Sequence, residues 1–136
     1  MAVTPIEIPM QYKDLLDAKG FAHIATLGPD GTPHSSPVWY DYDGRHILFS
    51  NTKARQKYRN VGRNRSVALS IIDPENPYRY IEIRGVVTEI ADDPNKDFIN
   101  KMAKKYTGRD TYSYDGPEVE RVVIKIAPTH TTQMGA

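Results

Sequence analysis

The chain has 136 residues, with 18 lysines and arginines against 17 aspartates and glutamates, a formal net charge of +1 and no cysteine. That length holds one domain with one core. The balanced charge argues against a protein that coats nucleic acid or a membrane, and the missing thiols exclude disulfides, cysteine nucleophiles and cysteine metal sites.

The first residues show no cationic stretch leading into an apolar one, and no window approaches the roughly 18 apolar residues of a membrane span, so a cytoplasmic protein is expected. Ten prolines and nine tyrosines are many for this length. Proline is excluded from helix interiors and central strands, so the chain is punctuated into short, mostly β elements.

"MQYKDLLDAKG" sets Met10, Leu15, Leu16 and Ala18 among charges and stops at Gly20, which predicts a short helix. "FAHIATL" reads as a strand, "GPDGT" as a turn, and Thr32 to Tyr40 as a second strand that closes on the hairpin dipeptide Asp43-Gly44. "RHILFS" is the third. Ala54, Tyr58 and Val61 then recur at helical spacing up to Gly62, with Ser50, Asn51 and Thr52 placed ahead of them as N-cap residues.

"SVALSII" is a fourth strand, "DPENP" a loop, and "YRYIEIRGVVTEI" a fifth strand with Ile81 and Ile83 on one face and Tyr80, Glu82 and Arg84 on the other. Gly85 predicts a bulge there. Phe98, Met102 and Tyr106 mark a third helix, with Asp92 or Asp93 as its cap and Pro94 in its first turn. The sixth strand, "VERVVIKIAP", ends at Pro128. Strands that follow strands predict a small antiparallel barrel with helices packed against it, in one domain over residues 1–136.

Six cations, Lys53, Arg55, Lys57, Arg59, Arg63 and Arg65, fall within thirteen positions that hold no acidic residue. A capped helix start beside Arg55 and Lys57 brings backbone N–H groups, the helix dipole and two charges together, which suits a phosphate. A solvated basic face is the competing reading. "HSSPVWY" is the second unusual stretch: Pro37 belongs on an edge strand, and Trp39 next to it is either core or a flat surface for a ring.

No phosphate loop, dinucleotide fingerprint or nucleophile elbow is present. His23, His34, His46 and His130 never pair at spacing three or four, so no metal is expected. An anionic tail joined to a planar ring is the ligand these features describe, and a nucleotide-like cofactor has that shape. Nucleic-acid binding through Lys53 to Arg65 is disfavoured by the near-neutral net charge.

Three motifs carry a resemblance. They are T-x-x-x-D-G-x-P-x-x-x-P-V-W from Thr26, R-x-K-x-R-N from Arg55 and N-P-Y-R-Y-x-E-x-R-G from Asn76. From Leu15 to Pro128 the chain resembles the pyridoxamine-phosphate-oxidase-like flavin and deazaflavin oxidoreductases, and within them the F-420-dependent branch. The resemblance implies a mainly β, six-stranded antiparallel split β-barrel of the FMN-binding type with short flanking helices. It also implies a homodimer with cofactor sites at the interface, and a small-molecule substrate.

By the same resemblance, His34, Ser35, Ser36, Pro37, Val38 and Trp39 run beside the cofactor ring. Ser50, Asn51, Thr52, Arg55 and Lys57 hold its phosphate, and Tyr78 and Tyr80 reach it from the partner subunit. Arg59 and Arg63 assist a longer anionic tail. The phosphate residues serve coenzyme F-420 and FMN alike; "PYRYIEIRG" and the abundance of cations lean towards F-420. The C-terminal extension with which pyridoxamine phosphate oxidases grip their substrate is not seen after "RVVIKIAPT", so that activity is not expected. Hydride transfer is the implied chemistry, with Tyr78, Tyr80 and His34 as candidate proton donors and no residue assigned as catalytic. A cofactor-binding protein without turnover is the alternative.

Overall fold

The computed structural model describes residues 3–136. A short helical segment comprises one 3-10 turn, Met10–Tyr12, and α1, Lys13–Asp17. It is followed by β1 (Ala22–Leu27), β2 (Pro33–Val38), β3 (Asp41–Tyr42), β4 (Ile47–Thr52), α2 (Gln56–Arg63), β5 (Ser66–Asp73), β6 (Asn76–Asp92), α3 (Asp97–Thr107) and β7 (Arg121–Met134). The seven strands form one antiparallel sheet in the order β2-β1-β5-β6-β7-β4-β3. It curls into a split barrel around Ile24, Leu69, Ile71, Ile81, Ile83, Phe49, Ile124 and Ile126, all at most 1% exposed. The alternation read in β6 holds: Ile81 and Ile83 are buried, while Tyr80 and Glu82 are half-exposed and Arg84 exposed.

The sheet has seven strands where the sequence predicts six. The extra one is the two-residue β3, which arises because the expected second strand breaks at Trp39 and Tyr40. Tyr40 turns fully inward; its N–H donates to Tyr106 Oη (3.2 Å) and its hydroxyl to the Leu15 carbonyl (2.6 Å). A side chain, not a neighbouring strand, takes that ladder group. The turn at Asp43-Gly44 stands as expected and joins β3 to β4. Asp43 Oδ1 accepts from the N–H groups of Arg45 (2.9 Å) and His46 (2.6 Å).

Two other boundaries differ. The last strand does not stop at Pro128 but runs on to Met134, pairing Thr131 to Met134 with Ile83 to Tyr80. Pro128 is tolerated because it stands opposite Gly85 at a register shift, where its missing N–H breaks no bond, as proline at a bulge requires. Gly85 does mark that bulge: an added Cβ would lie 2.7 Å from the Ala127 carbonyl oxygen. At α3 the cap position is Lys96, in left-handed backbone, and Pro94 lies in the preceding turn. Asp93 still supplies a capping bond from farther back, its Oδ2 accepting from the Phe98 N–H at 3.1 Å. Among the described residues no helix is long and apolar enough to cross a membrane.

Candidate functional site

The curl of the sheet leaves a cleft of about 610 Å3 between β2, the end of β4, the start of α2, α3 and the loop that leads into β7. β2 is an edge strand paired only with β1, so the free side of its backbone borders open space. Pro37 sits there with no N–H to leave unpaired. Trp39, just past the strand, is half-buried and stacks on Tyr106 with 4.9 Å between ring centroids and 8° between planes. It is therefore partly packed and partly presented to the cleft.

The expected cap residues turn out to be strand. Ser50, Asn51 and Thr52 are the last residues of β4 and pair with Val123, Val122 and Arg121 of β7. The helix begins four residues after Thr52, at Gln56, with Arg55 at its cap position and no side-chain cap bond. A register held across the whole β4–β7 ladder outweighed the local capping preference. Among the described residues no side chain caps that helix start, and Arg55 and Lys57 stand beside it.

Five of the six clustered cations divide by their contacts. Lys53 is neutralised by Asp92 (3.0 Å) and Glu120 (3.8 Å). Arg59 donates to the Ala54 carbonyl and Gln56 Oε1, and Arg63 to the Leu27 carbonyl and Asn60 Oδ1. Neither lines the cleft. Arg55 and Lys57 do line it, and among the described residues neither forms an ion pair. Desolvation, and after it the neighbouring charge of Arg55, hold the half-buried Lys57 ammonium below its ordinary pKa. Asn51, 6% exposed, has its Oδ1 on the Thr52 N–H (3.0 Å), and among the described residues its amide nitrogen has no partner.

Eleven of the expected residues therefore meet around one cavity: His34, Ser35, Ser36, Pro37, Val38, Trp39, Ser50, Asn51, Thr52, Arg55 and Lys57. Tyr78 and Tyr80 do not join them within one chain. Tyr78 is 77% exposed, and Tyr80 lies between Ile72 and Met134 on neighbouring strands. The arginine between those tyrosines is structural. Arg79 bonds Asp14 (2.7 Å) and Asp73 (3.1 Å) and so ties α1 to the β5–β6 hairpin.

Sequence reasoning missed several cleft residues. Phe21, Thr26, Gln56, Ile99, Met102, Tyr112 and Arg121 complete the walls. Arg121 is held by Asp115 (2.6 and 3.0 Å), reaches Ser50 Oγ at 3.2 Å and stacks on Tyr112. That pairing keeps the Asp115 carboxyl below its usual pKa. No local motif announces these residues, because only the β4–β7 register brings Arg121 to Thr52.

Two unpaired cations, an uncapped helix start and an orphaned buried amide donor fit an anionic, acceptor-rich group such as a cofactor phosphate. Among the described residues no cluster of three His, Asp or Glu side chains is arranged to hold a metal.

Comparison with known proteins bears on the family and the fold. The profile of the family described as pyridoxamine 5'-phosphate oxidase matches residues 8–135. A solved structure named as an F420 reductase superposes with a TM-score of 0.85 at 40% identity, covering 92% of this chain and 98% of that one. General stress protein 26 from Bacillus anthracis shares the fold, with a TM-score of 0.68 at 20% identity over 91% of each chain. Over 72 residues the chain is 32% identical to a Streptomyces rimosus subsp. rimosus 5a,11a-dehydrotetracycline/5a,11a-dehydrooxytetracycline reductase. That match spans 48% of this chain and 51% of the relative, about half of each.

Proposed function

Because the chain belongs to the pyridoxamine 5'-phosphate oxidase family, we propose that it is an oxidoreductase that uses a bound deazaflavin, F-420, to reduce a small organic substrate. The observation that carries this reading is the unpaired cation pair Arg55 and Lys57 at the open start of α2, in one cleft with the free edge of β2. When bound, the cofactor supplies a two-electron hydride carrier, and the protein supplies binding and orientation.

In this reading Arg55, Lys57 and the first-turn N–H groups grip the phosphate. The stretch from His34 to Trp39 lies beside the ring. Phe21, Met102 and Tyr112 line the remaining wall and exclude water from it. The proton that must accompany the hydride comes from water or from a cleft hydroxyl. Likeness to a protein named as an F420 reductase, at 40% identity over nearly the whole chain, supports the choice of deazaflavin.

A second reading, FMN in the same cleft, is favoured by the fate of the other cations. The expected contribution of Arg59 and Arg63 to a long anionic tail has little support, since both are engaged with the protein itself. The adjoining groove sets the carboxylates of Asp115, Glu118 and Glu120 against Lys53, Arg55 and Arg121, so it offers a polycarboxylate no excess of positive charge. Fluorescence titration of cofactor-stripped protein with FMN and with F-420 separates the two readings. Tighter F-420 binding supports the first and tighter FMN binding the second; failure of both at micromolar concentration overturns the cofactor assignment.

The protein is further proposed to act as a homodimer in the cytoplasm, with Tyr78 and Tyr80 serving the partner's cleft. Their outward position, in a row with Ile72 and Met134, supports this. Sedimentation at micromolar concentration tests it: a monomer leaves the two tyrosines without a route to any cofactor.

A further inference from the structure

Arg63 and Asn60 belong to the cationic helix, yet neither meets the cleft, so the phosphate reading does not account for them. Asn60 is fully buried, and its amide has three neighbours whose chemistry leaves only one orientation. Arg63 Nη2 lies 3.2 Å from one terminal atom of that amide. A guanidinium can only donate, so that atom is the oxygen. Gln56 Nε2 approaches the same oxygen at 2.8 Å. The Gln56 amide is itself oriented by Arg59, whose Nη2 donates to Gln56 Oε1 at 2.8 Å. Two guanidinium groups thus fix two amides in the same sense.

The other end of the Asn60 amide is therefore nitrogen, and it faces Thr26 Oγ1 at 3.1 Å. An amide nitrogen only donates, so the threonine oxygen is the acceptor in this bond. Its own proton is directed elsewhere, and among the described residues no protein atom accepts it. Thr26 is 1% exposed and lines the cleft from the inner face of β1. A buried donor is ordinarily satisfied, and here the cleft is the open direction. From β4, Asn51 presents a second donor of this kind, its oxygen held by the Thr52 N–H and its nitrogen unpartnered.

We propose that Thr26 is a hydrogen-bond donor to the molecule held in the cleft, with Asn60 and Arg63 as the positioning residues that direct its hydroxyl. The recognised group is an acceptor: a phosphate oxygen, or a carbonyl, ring nitrogen or hydroxyl oxygen of the cofactor core. This rests on the cofactor reading above. Arg59 and Arg63 thereby acquire a role, which is to orient amides rather than to meet an anionic tail.

The test is fluorescence titration with FMN and F-420, and with their phosphate-free counterparts riboflavin and the deazariboflavin core. Thr26→Val is expected to weaken binding about tenfold, the effect of one lost hydrogen bond, and Thr26→Ser to restore it to within about twofold of the parent. A penalty that persists on the phosphate-free ligand places the acceptor on the core; one confined to the phosphorylated ligand places it on the phosphate. If Arg55→Ala weakens binding and Thr26→Val does not, the cofactor reading stands and this inference falls. If the parent protein binds neither cofactor, both fall.

Thr26→Val leaves the buried Asn60 nitrogen without an acceptor, so Asn60→Asp provides an independent route. The new carboxylate keeps Arg63 and Gln56 and takes the Thr26 proton for itself, drawing the donor out of the cleft. Adding Thr26→Val to Asn60→Asp should then cost nothing further, a non-additivity that a merely structural threonine would not show. A further loss of about tenfold in the double variant would overturn the orientation.

Discussion

Trp39 lies flat against Tyr106, with 4.9 Å between ring centroids and planes 8° from parallel. The Tyr106 hydroxyl donates to the Gly20 carbonyl at 2.7 Å and accepts the Tyr40 N–H at 3.2 Å. One side chain of α3 thus fixes the aromatic wall of the cleft, the break after β2 and the approach to β1. Tyr106→Phe keeps the stack and loses both bonds, which is expected to cost about 1–3 kcal/mol in urea denaturation. Tyr106→Ala removes the ring as well and should cost about 3–5 kcal/mol. Equal losses in the two variants would show that the stack contributes nothing.

The same burial makes stability sensitive to alkali. Desolvation raises the hydroxyl pKa of both Tyr40 and Tyr106 above 10.0 in the folded protein. Above that value the unfolded chain releases protons that the folded chain retains, so the slope of stability against pH turns negative. The tyrosines' contribution is fully present below about pH 10 and is lost as the pH rises beyond it. Thermal melts at stepped pH check this, and Tyr106→Phe should flatten the alkaline slope.

Arg55 and Arg63 stand eight positions apart on one basic helix and should fail in different assays. Arg55 lines the cleft without an ion pair, so Arg55→Ala is expected to weaken cofactor binding by about 1.5–3 kcal/mol and to leave the denaturation midpoint in place. Arg63 bonds the Leu27 carbonyl and Asn60, so Arg63→Ala should lower stability by about 1–2 kcal/mol. Any loss of affinity in that variant should be no larger for F-420 than for FMN. A loss specific to F-420 would restore the tail-binding role expected of Arg63.

That contrast shows where the sequence was legible. The bulge at Gly85, the edge position of Pro37 and the inward Ile81 and Ile83 follow from residue chemistry over a few positions, and the structure has all three. Ser50 to Thr52 carry a capping signal, but their strand state is decided by seventy-residue-distant pairing with Val123 to Arg121. Pro128 reads as a stop unless Gly85 is known to stand opposite it. Arg121 and Tyr112 enter the cleft only through the same long-range register, so no window of sequence contains the signal.

Gly85 offers a direct test of that register. A Cβ there would lie 2.7 Å from both the Ala127 carbonyl oxygen and Ile126 Cγ2, and neither the β7 backbone nor the buried isoleucine has room to retreat. Gly85→Ala is expected to destabilise the fold by about 1–3 kcal/mol, the range for overpacking a closed core. Denaturation midpoints measure it, and a neutral outcome would mean that the bulge relaxes without effort.

Lys57 sets stability against binding. Its ammonium is held below the ordinary 10.5 by desolvation and by Arg55, so the empty folded state disfavours the charge that the unfolded chain carries. Between the lowered value and 10.5 the unfolded state binds more protons, and the stability of the empty protein rises with pH through that window. An anion in the cleft favours the charged form, so binding takes up a proton and affinity falls through the same window. The two slopes have opposite sign and one origin. Lys57→Met should remove both, raising the melting temperature of the empty protein near neutral pH while weakening cofactor binding. Titrations and melts from about pH 7 to about pH 9.5, below the tyrosine range, would show it. An affinity in Lys57→Met that equals the parent's and keeps the same pH slope would place the phosphate away from this lysine.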